Sequence, residues 1–360
     1  MPARDRLAMQ VQVAARTMRG LVPLLGGVRE LVGTAHQISE SSTQPRNEEA
    51  YDLFLRAMAT PLDGESTRQA RRMLERSVAL DPGYSPAWSA LAGKCAGLSW
   101  YWNGGEEAWQ CAMAAATRAV ALDPNNVSTV AAVSQERVER NQTGLAYHDL
   151  LQLGRRRPDS ARLHFALGYV LRYAGVLDQA ERECNTALML DVQDGGLKSC
   201  AVPFILSGDY QRARHYLNLD RGTEWGRALL VDLLLREGRE KEALQERPAS
   251  DPQWAGYGML FAFLEHRPQS EVAALARALQ PAHDPEVNYW AAAHLAYAGQ
   301  TDAALRMLKH AIEQGYCATQ SLDSDTMLAN IRALPEFAAV RAAAGACRAT
   351  FLADAGKGAS

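Results

Sequence analysis

Leu80-Asp81-Pro82 ends one amphipathic stretch of this 360-residue chain, and Leu122-Asp123-Pro124 ends the next. Arg156-Arg157-Pro158 and Leu190-Asp191-Val192 stand at the same phase of the two stretches that follow. The closing positions 82, 124, 158 and 192 are therefore 42, 34 and 34 residues apart. A period of about 34 residues is typical of repeated helix-turn-helix pairs. A closing proline cannot continue a helix, because its ring clashes and it has no backbone N–H.

Small and apolar residues recur at fixed distances before each closing position. Offsets of three and four residues place them on one face of a helix, where small side chains let a second helix approach closely. A single helix pair cannot bury its own apolar face, so neighbouring pairs must stack. The sequence predicts an all-α fold, a right-handed α-solenoid of helix-turn-helix repeats with a concave groove. The repeated positions are Ala70, Ala112, Ala146 and Ala180, then Leu74, Ala116, Leu150 and Cys184.

The repeats predict three parts of the chain. Residues 1–46 read as amphipathic helices and a linker, 47–316 as about eight helix pairs with degenerate middle copies, and 317–360 as capping helices with a frayed tail. Residues 1–46 carry six arginines and three carboxylates. We expect them to flank the solenoid; docking to a partner or a second copy, and in-plane membrane association, are the alternatives.

Composition limits the classes of function. The formal net charge is −3, so the chain lacks the basic footprint of a nucleic-acid-binding domain. None of its six cysteines forms a C-x-x-C pair, and we expect them to be buried, unpaired thiols in a reducing compartment. The start of the chain lacks the pattern of a secretory signal, and the apolar stretch 20–33 is too short to cross a bilayer. A cytoplasmic location is therefore expected by default.

Two stretches carry a family resemblance. Asn47 to Ala57, followed by Leu74 to Trp88, resembles the opening of tetratricopeptide repeat (TPR) arrays C-terminal to bacterial adenylate cyclase, Ser/Thr kinase and winged-helix regulatory domains. Ala298 to Tyr316, followed by Leu334-Pro335-Glu336-Phe337, is similar to the end of such arrays. The resemblance, over roughly residues 47–345, implies a TPR solenoid that binds protein. It implies no kinase or cyclase activity, because the motifs of those output domains are absent.

The candidate partner-binding residues lie on the first helix of each helix pair, beside the positions that pack against neighbouring helices. By register they line the concave groove, and some of them are also expected to serve packing between repeats. An aromatic, sparsely charged groove suits an extended peptide or an amphipathic helix of a partner protein. The candidates are Arg162, Phe165, Tyr169, Arg172, Trp225, Asp232, Met259 and Tyr289.

A second candidate contact is the aromatic run Trp100-Tyr101-Trp102. It lies in the interval that is eight residues longer than the 34-residue repeat. Three consecutive aromatic residues cannot all face one side of a helix, and aromatic residues are enriched at binding hot spots. The run is expected to contact a partner or, alternatively, to pack within a longer helix hairpin.

The sequence shows no motif of catalysis, cofactor binding or metal binding. Its eight histidines form no H-E-x-x-H or paired arrangement, and G-x-S-x-G is absent. We therefore expect a non-catalytic scaffold that binds a peptide or helical segment in a bacterial regulatory or signalling complex. The alternatives are a peripheral membrane adaptor, a non-catalytic subunit of a kinase- or cyclase-type system, and an enzyme whose chemistry the sequence does not reveal.

Overall fold

The computed structural model describes residues 41–60, 64–102, 104–192, 195–220, 223–247 and 255–358. Within these ranges the chain forms eighteen α-helices and three short 3₁₀ helices, with no β-strand. The described residues divide into two compact units, unit 1 up to residue 136 and unit 2 from residue 137 onward. The predicted segment 1–46 lies outside the described residues except for its last six positions.

The α-helices of residues 41–138 are α1 Glu48–Met58, α2 Gly64–Leu80, α3 Ser85–Tyr101, α4 Gly105–Leu122 and α5 Val127–Val138. Those that follow are α6 Thr143–Gly154, α7 Ala161–Tyr173, α8 Leu177–Leu190, α9 Ala201–Ser207, α10 Tyr210–Leu217, α11 Glu224–Arg236, α12 Glu240–Gln245, α13 Tyr257–Leu264, α14 Gln269–Ala278, α15 Pro285–Tyr297, α16 Thr301–Glu313, α17 Thr319–Ser324 and α18 Pro335–Gly358.

The helix ends follow the local chemistry of the sequence. Helices α2, α4 and α8 end at Leu80, Leu122 and Leu190, directly before the predicted closing positions. Helix α1 begins after Asn47, whose side chain accepts a hydrogen bond from the Ala50 backbone N–H at 3.0 Å. Such a cap satisfies an N–H that has no partner inside the helix. The predicted helix ends are confirmed for α2, α4 and α8, whereas α6 ends earlier, at Gly154, before the closing position 158.

Unit 1 packs its helices in consecutive pairs, α1 with α2 and α3 with α4. The repeated small and apolar positions are buried there, as predicted; Ala70, Leu74, Ala112 and Ala116 are all fully inaccessible. Residues 41–46 lie across the ends of both pairs. Ser41 and Ser42 donate three hydrogen bonds to the Asp123 carboxylate, and the Arg46 backbone N–H donates to Asp81 at 2.5 Å. The aspartates of two closing motifs therefore hold this segment.

Unit 2 repeats the same pairing, α7 with α8, α9 with α10, α11 with α12, α13 with α14 and α15 with α16. It also closes on itself. Arg172 of α7 forms an ion pair with Glu286 of α15, and Tyr147 of α6 packs edge-on against Phe351 of α18, with ring centroids 5.3 Å apart. In an open solenoid each repeat contacts only its neighbours. Contacts over more than 100 residues show that unit 2 is a closed array.

The six cysteines form three disulfides, so the prediction of unpaired thiols is wrong. The bonds are Cys95–Cys111, Cys184–Cys200 and Cys317–Cys347, with Cα–Cα distances of 5.8, 5.7 and 5.3 Å. The physical reason is helix packing. Close approach of neighbouring elements brings each pair into the 4.4–6.8 Å range that a disulfide spans. No sequence spacing reveals such an approach.

Candidate functional site

The candidate site is the face of unit 2 that helices α7, α9, α11 and α15 contribute to, which is where the sequence predicts a groove. Residues 317–334, here named the closing segment, lie against this face. Helix α17 of the segment contacts α9, and the 3₁₀ helix Thr326–Leu328 contacts both α11 and α15. The backbone N–H of Cys317 donates to the carbonyl oxygen of Tyr173 at 2.8 Å. The groove is therefore filled by the chain itself.

Asp325 anchors the closing segment to the floor of the groove. One of its carboxylate oxygens accepts from the Arg236 guanidinium at 2.7 Å and from the Tyr289 hydroxyl at 2.9 Å. The other accepts from the backbone N–H of Met327 at 3.0 Å, which starts the 3₁₀ helix. The side chains of Arg236 and Asp325 are 1% and 0% exposed. A charge-assisted bond at this depth is stronger than one at the surface, because water does not screen it.

Asp232 extends this cluster under the closing segment. It accepts from Arg236 at 3.0 Å, from the His294 ring at 2.9 Å and from the Tyr257 hydroxyl. Burial opposes the negative charge, but His294 and Arg236 together hold the pKa of Asp232 below its usual value. Asp232 is therefore an ionised, fully buried carboxylate with its charge balanced by its neighbours.

His294 and Trp290 complete the surroundings of Arg236. His294 is fully buried, and its second ring nitrogen lies 2.6 Å from the carbonyl oxygen of Ala255. The two ring nitrogens thus face two oxygens, the Ala255 carbonyl on one side and the Asp232 carboxylate on the other. The Trp290 ring centroid lies 4.8 Å from the Arg236 guanidinium, in the geometry of a cation–π contact.

A second buried cluster centres on Arg172. Its guanidinium donates to the carbonyl and hydroxyl oxygens of Ser199, both at 3.0 Å, and to Glu286 at 2.7 Å. The Tyr316 hydroxyl, directly before the closing segment, donates to the other Glu286 oxygen at 3.2 Å. The Tyr169 ring stacks on the guanidinium with its centroid at 4.1 Å. This cluster joins α7 to α15 and to the start of the closing segment.

Two carboxylates share the positive charge of Arg172. Burial raises the pKa of Glu286 to about 7, Arg172 works against that rise, and the nearby Asp284 adds to it. Burial also raises the pKa of Asp284, which accepts from the Tyr173 hydroxyl at 2.9 Å. One guanidinium cannot fully compensate two buried negative charges. Burial with incomplete compensation of charge is therefore the cause of both raised pKa values.

The structure separates the eight predicted groove residues into two sets. Five are buried, because other parts of the chain pack over them, which agrees with the expectation that some of the eight serve packing between repeats. Three are partly exposed. Partner contact by any of the eight stays a prediction. The buried residues are Phe165, Arg172, Asp232, Met259 and Tyr289, and the partly exposed ones are Arg162, Tyr169 and Trp225.

The aromatic run lies at the end of α3. Trp102 is partly exposed, and its ring lies 3.0 Å from the place a Cβ would occupy on Gly64 and 3.5 Å from that on Gly97. The Trp102 ring therefore lies close to the start of α2 and to α3. Partner contact by the aromatic run stays a prediction. Trp100 and Tyr101 belong to α3, but their side chains lie outside the described residues.

Sequence reasoning did not identify the partners of these clusters. Leu322-Asp323-Ser324-Asp325 stands out after the last repeat, yet nothing in it indicates Arg236, which is 89 residues away. Glu286 and His294 carry no local signal either. Among the described residues no group of three or more His, Cys, Asp or Glu side chains forms a metal site. No helix in this part of the chain is long and apolar enough to span a membrane.

Comparisons with known proteins give similarity in fold alone. No family model matches the chain, and no curated protein matches it. A tetratricopeptide repeat protein from Parabacteroides merdae is 14% identical with a TM-score of 0.39; the match covers 79% of this chain and 99% of that one. PilF of Pseudomonas aeruginosa is 20% identical with a TM-score of 0.40, over 55% of this chain and 89% of that one. MamA of Desulfovibrio magneticus RS-1 is 17% identical with a TM-score of 0.36, over 49% and 98%.

The class of fold rests on the helices themselves. Within each unit, consecutive helices pack in pairs, and the ends of α2, α4 and α8 and their small packing residues recur with the period of the sequence repeat. The described chain is an all-α protein built from helix pairs of the tetratricopeptide type.

Proposed function

We propose that this chain is a non-catalytic scaffold that binds a segment of another protein. Helix pairs of this type act by presenting a surface, since each pair adds another strip of side chains to a continuous face. The fold supports only this general role, because function depends on particular sites.

The observation that carries the proposal is Trp225, a partly exposed aromatic residue at the start of α11. The Lys198 ammonium lies 5.9 Å from its ring centroid. An aromatic side chain beside a cation is typical of protein-binding hot spots. Arg162 has the corresponding place at the start of α7 and lies 5.4 Å from the Phe165 ring. The side chains of Trp225 and Arg162 stay partly exposed although the deeper groove is filled.

The partner segment that suits these positions is an extended peptide or an amphipathic helix with apolar and acidic side chains. We further propose that the complex belongs to a bacterial regulatory or signalling system, as the resemblance of the repeats implies. The cytoplasmic location expected from the sequence stays a prediction, and the three disulfides count against it.

Site-specific photo-crosslinking in the full chain tests the scaffold role. A photoreactive amino acid is placed at Trp225 and, as the matched control, at Lys309, whose side chain is 70% exposed on α16. We expect the probe at position 225 to trap one protein and the probe at position 309 not to trap it. The trapped protein is then purified, and Trp225→Ala should bind it roughly 30-fold more weakly, the loss of a hot spot of about 2 kcal/mol. Equal affinity of a folded Trp225→Ala variant, or trapping at neither position, would overturn the proposal.

A further inference from the structure

We infer that this chain matures in an oxidising compartment, and that its Cys317–Cys347 disulfide fixes the closing segment in the groove. The inference rests on the disulfides and on the closing segment, and it does not depend on the proposed partner.

The three disulfides span Cα–Cα distances of 5.8, 5.7 and 5.3 Å, which lie within the range usual for such bonds. Each joins elements that the fold already packs together. The Cys95–Cys111 bond links α3 to α4, and the Cys184–Cys200 bond links α8 to the end of a 3₁₀ helix. Cys95, Cys184 and Cys200 are at most 2% exposed. Each of these two bonds therefore has at least one sulfur that is buried away from reductants.

Every cysteine of the chain takes part in a disulfide. All six cysteines are paired and no free thiol remains. Thiols of cytosolic proteins are kept reduced, whereas proteins of oxidising compartments accumulate paired cysteines. Each bond forms when two thiols lose two protons and pass two electrons to a disulfide-bonded protein oxidant, which becomes a dithiol. A chain with three such bonds therefore requires a compartment that supplies this class of oxidant.

The Cys317–Cys347 disulfide encloses the closing segment that lies in the groove. Cys317 is the first residue of the closing segment, and Cys347 lies on α18, which packs on α16 and α6. The loop that the bond closes, residues 317–347, contains the whole segment, including the buried Asp325. With the bond formed, the segment is held by the disulfide at its start and by Asp325 in its middle. Without the bond, only non-covalent contacts hold it, so oxidation secures the filled state of the groove.

Thiol counting tests the compartment. The full-length protein is taken from its source cells after acid quenching, alkylated under denaturing conditions and weighed by mass spectrometry. We expect no alkylated cysteine. After digestion we expect disulfide-linked peptides that join Cys95 to Cys111, Cys184 to Cys200 and Cys317 to Cys347. Six alkylated cysteines would overturn the inference of an oxidising compartment, and a different pairing would overturn the assigned bonds.

Hydrogen exchange tests the role of the third bond. In the full oxidised chain, Cys317→Ser with Cys347→Ser should raise the exchange rate of amides in residues 319–334 by roughly 100-fold. Cys95→Ser with Cys111→Ser, which removes a bond of unit 1, is the matched control and should leave this segment unchanged. If the double variant does not fold, graded reduction of the wild-type chain gives the same comparison. Unchanged exchange of residues 319–334 after loss of the third bond would overturn its role.

Discussion

Replacement of Asp325 by Asn tests whether the buried ion pair holds the closing segment. The substitution keeps the size of the side chain and an oxygen that can accept from the Met327 backbone N–H. It removes the negative charge that faces Arg236 at 2.7 Å. The change is therefore electrostatic, without a cavity.

The expected cost follows from the burial of the pair. Both side chains are at most 1% exposed, and removing one partner of such a pair costs about 3–5 kcal/mol, because it leaves an uncompensated buried charge. In this variant Arg236 retains its second ion pair, with Asp232 at 3.0 Å, so we expect a cost at the lower end of the roughly 3–5 kcal/mol range. We expect Asp325→Asn to lower the free energy of unfolding of unit 2 by about 3 kcal/mol, about a 100-fold shift in its equilibrium constant.

Urea unfolding of the full chain, with hydrogen exchange of the α11 and α15 amides, measures this loss. Asp323→Asn is the matched control two residues earlier. Asp323 pairs with Arg341 at the surface, where the two side chains are 44% and 54% exposed, and such pairs contribute less than about 1 kcal/mol. A loss below about 1 kcal/mol for Asp325→Asn, or equal losses for the two variants, would refute the reasoning.

Three further changes test other parts of unit 2. The pKa of Glu286 is about 7 in the folded chain and 4.5 in the unfolded chain, so unfolding releases a proton and wild-type stability falls as the pH rises from about 4.5 to 7. Glu286→Gln should reduce this fall by roughly 2–3 kcal/mol, measured by urea unfolding at pH 5 and pH 7.5. An equal fall in stability for wild type and variant would contradict this prediction. Gly175 has a φ of +69°, and a Cβ there would overlap the first carbonyl oxygen of the closing segment. Gly175→Ala should therefore lower stability by about 2 kcal/mol more than Gly208→Ala, whose φ is +89° but whose Cβ would meet nothing; equal melting temperatures would argue against a close approach. Replacing Cys184 and Cys200 by Ser opens a 16-residue loop and should cost about 3 kcal/mol in urea unfolding, and no loss would mean that the bond does not constrain the unfolded chain.

The helix pairs could be read from the sequence because their signals are local. A proline or an Asp at a closing position acts on its own turn, and small residues three or four positions apart share a helix face. The register also picked out Arg172, Asp232 and Tyr289, which take part in the buried clusters between α7, α11, α15 and the closing segment. It did not reveal what covers these residues.

The all-α class, most helix ends and the positions that pack within pairs could be predicted from the sequence, because each depends on residues a few turns apart. The closure of unit 2, the position of the closing segment in its groove and the pairing of the cysteines are seen only in the folded chain. The ion pairs that hold unit 2 closed connect Arg236 with Asp325 and Arg172 with Glu286, which are 89 and 114 residues apart in the chain. Such contacts depend on the summed small rotations between successive helix pairs, which no local pattern encodes.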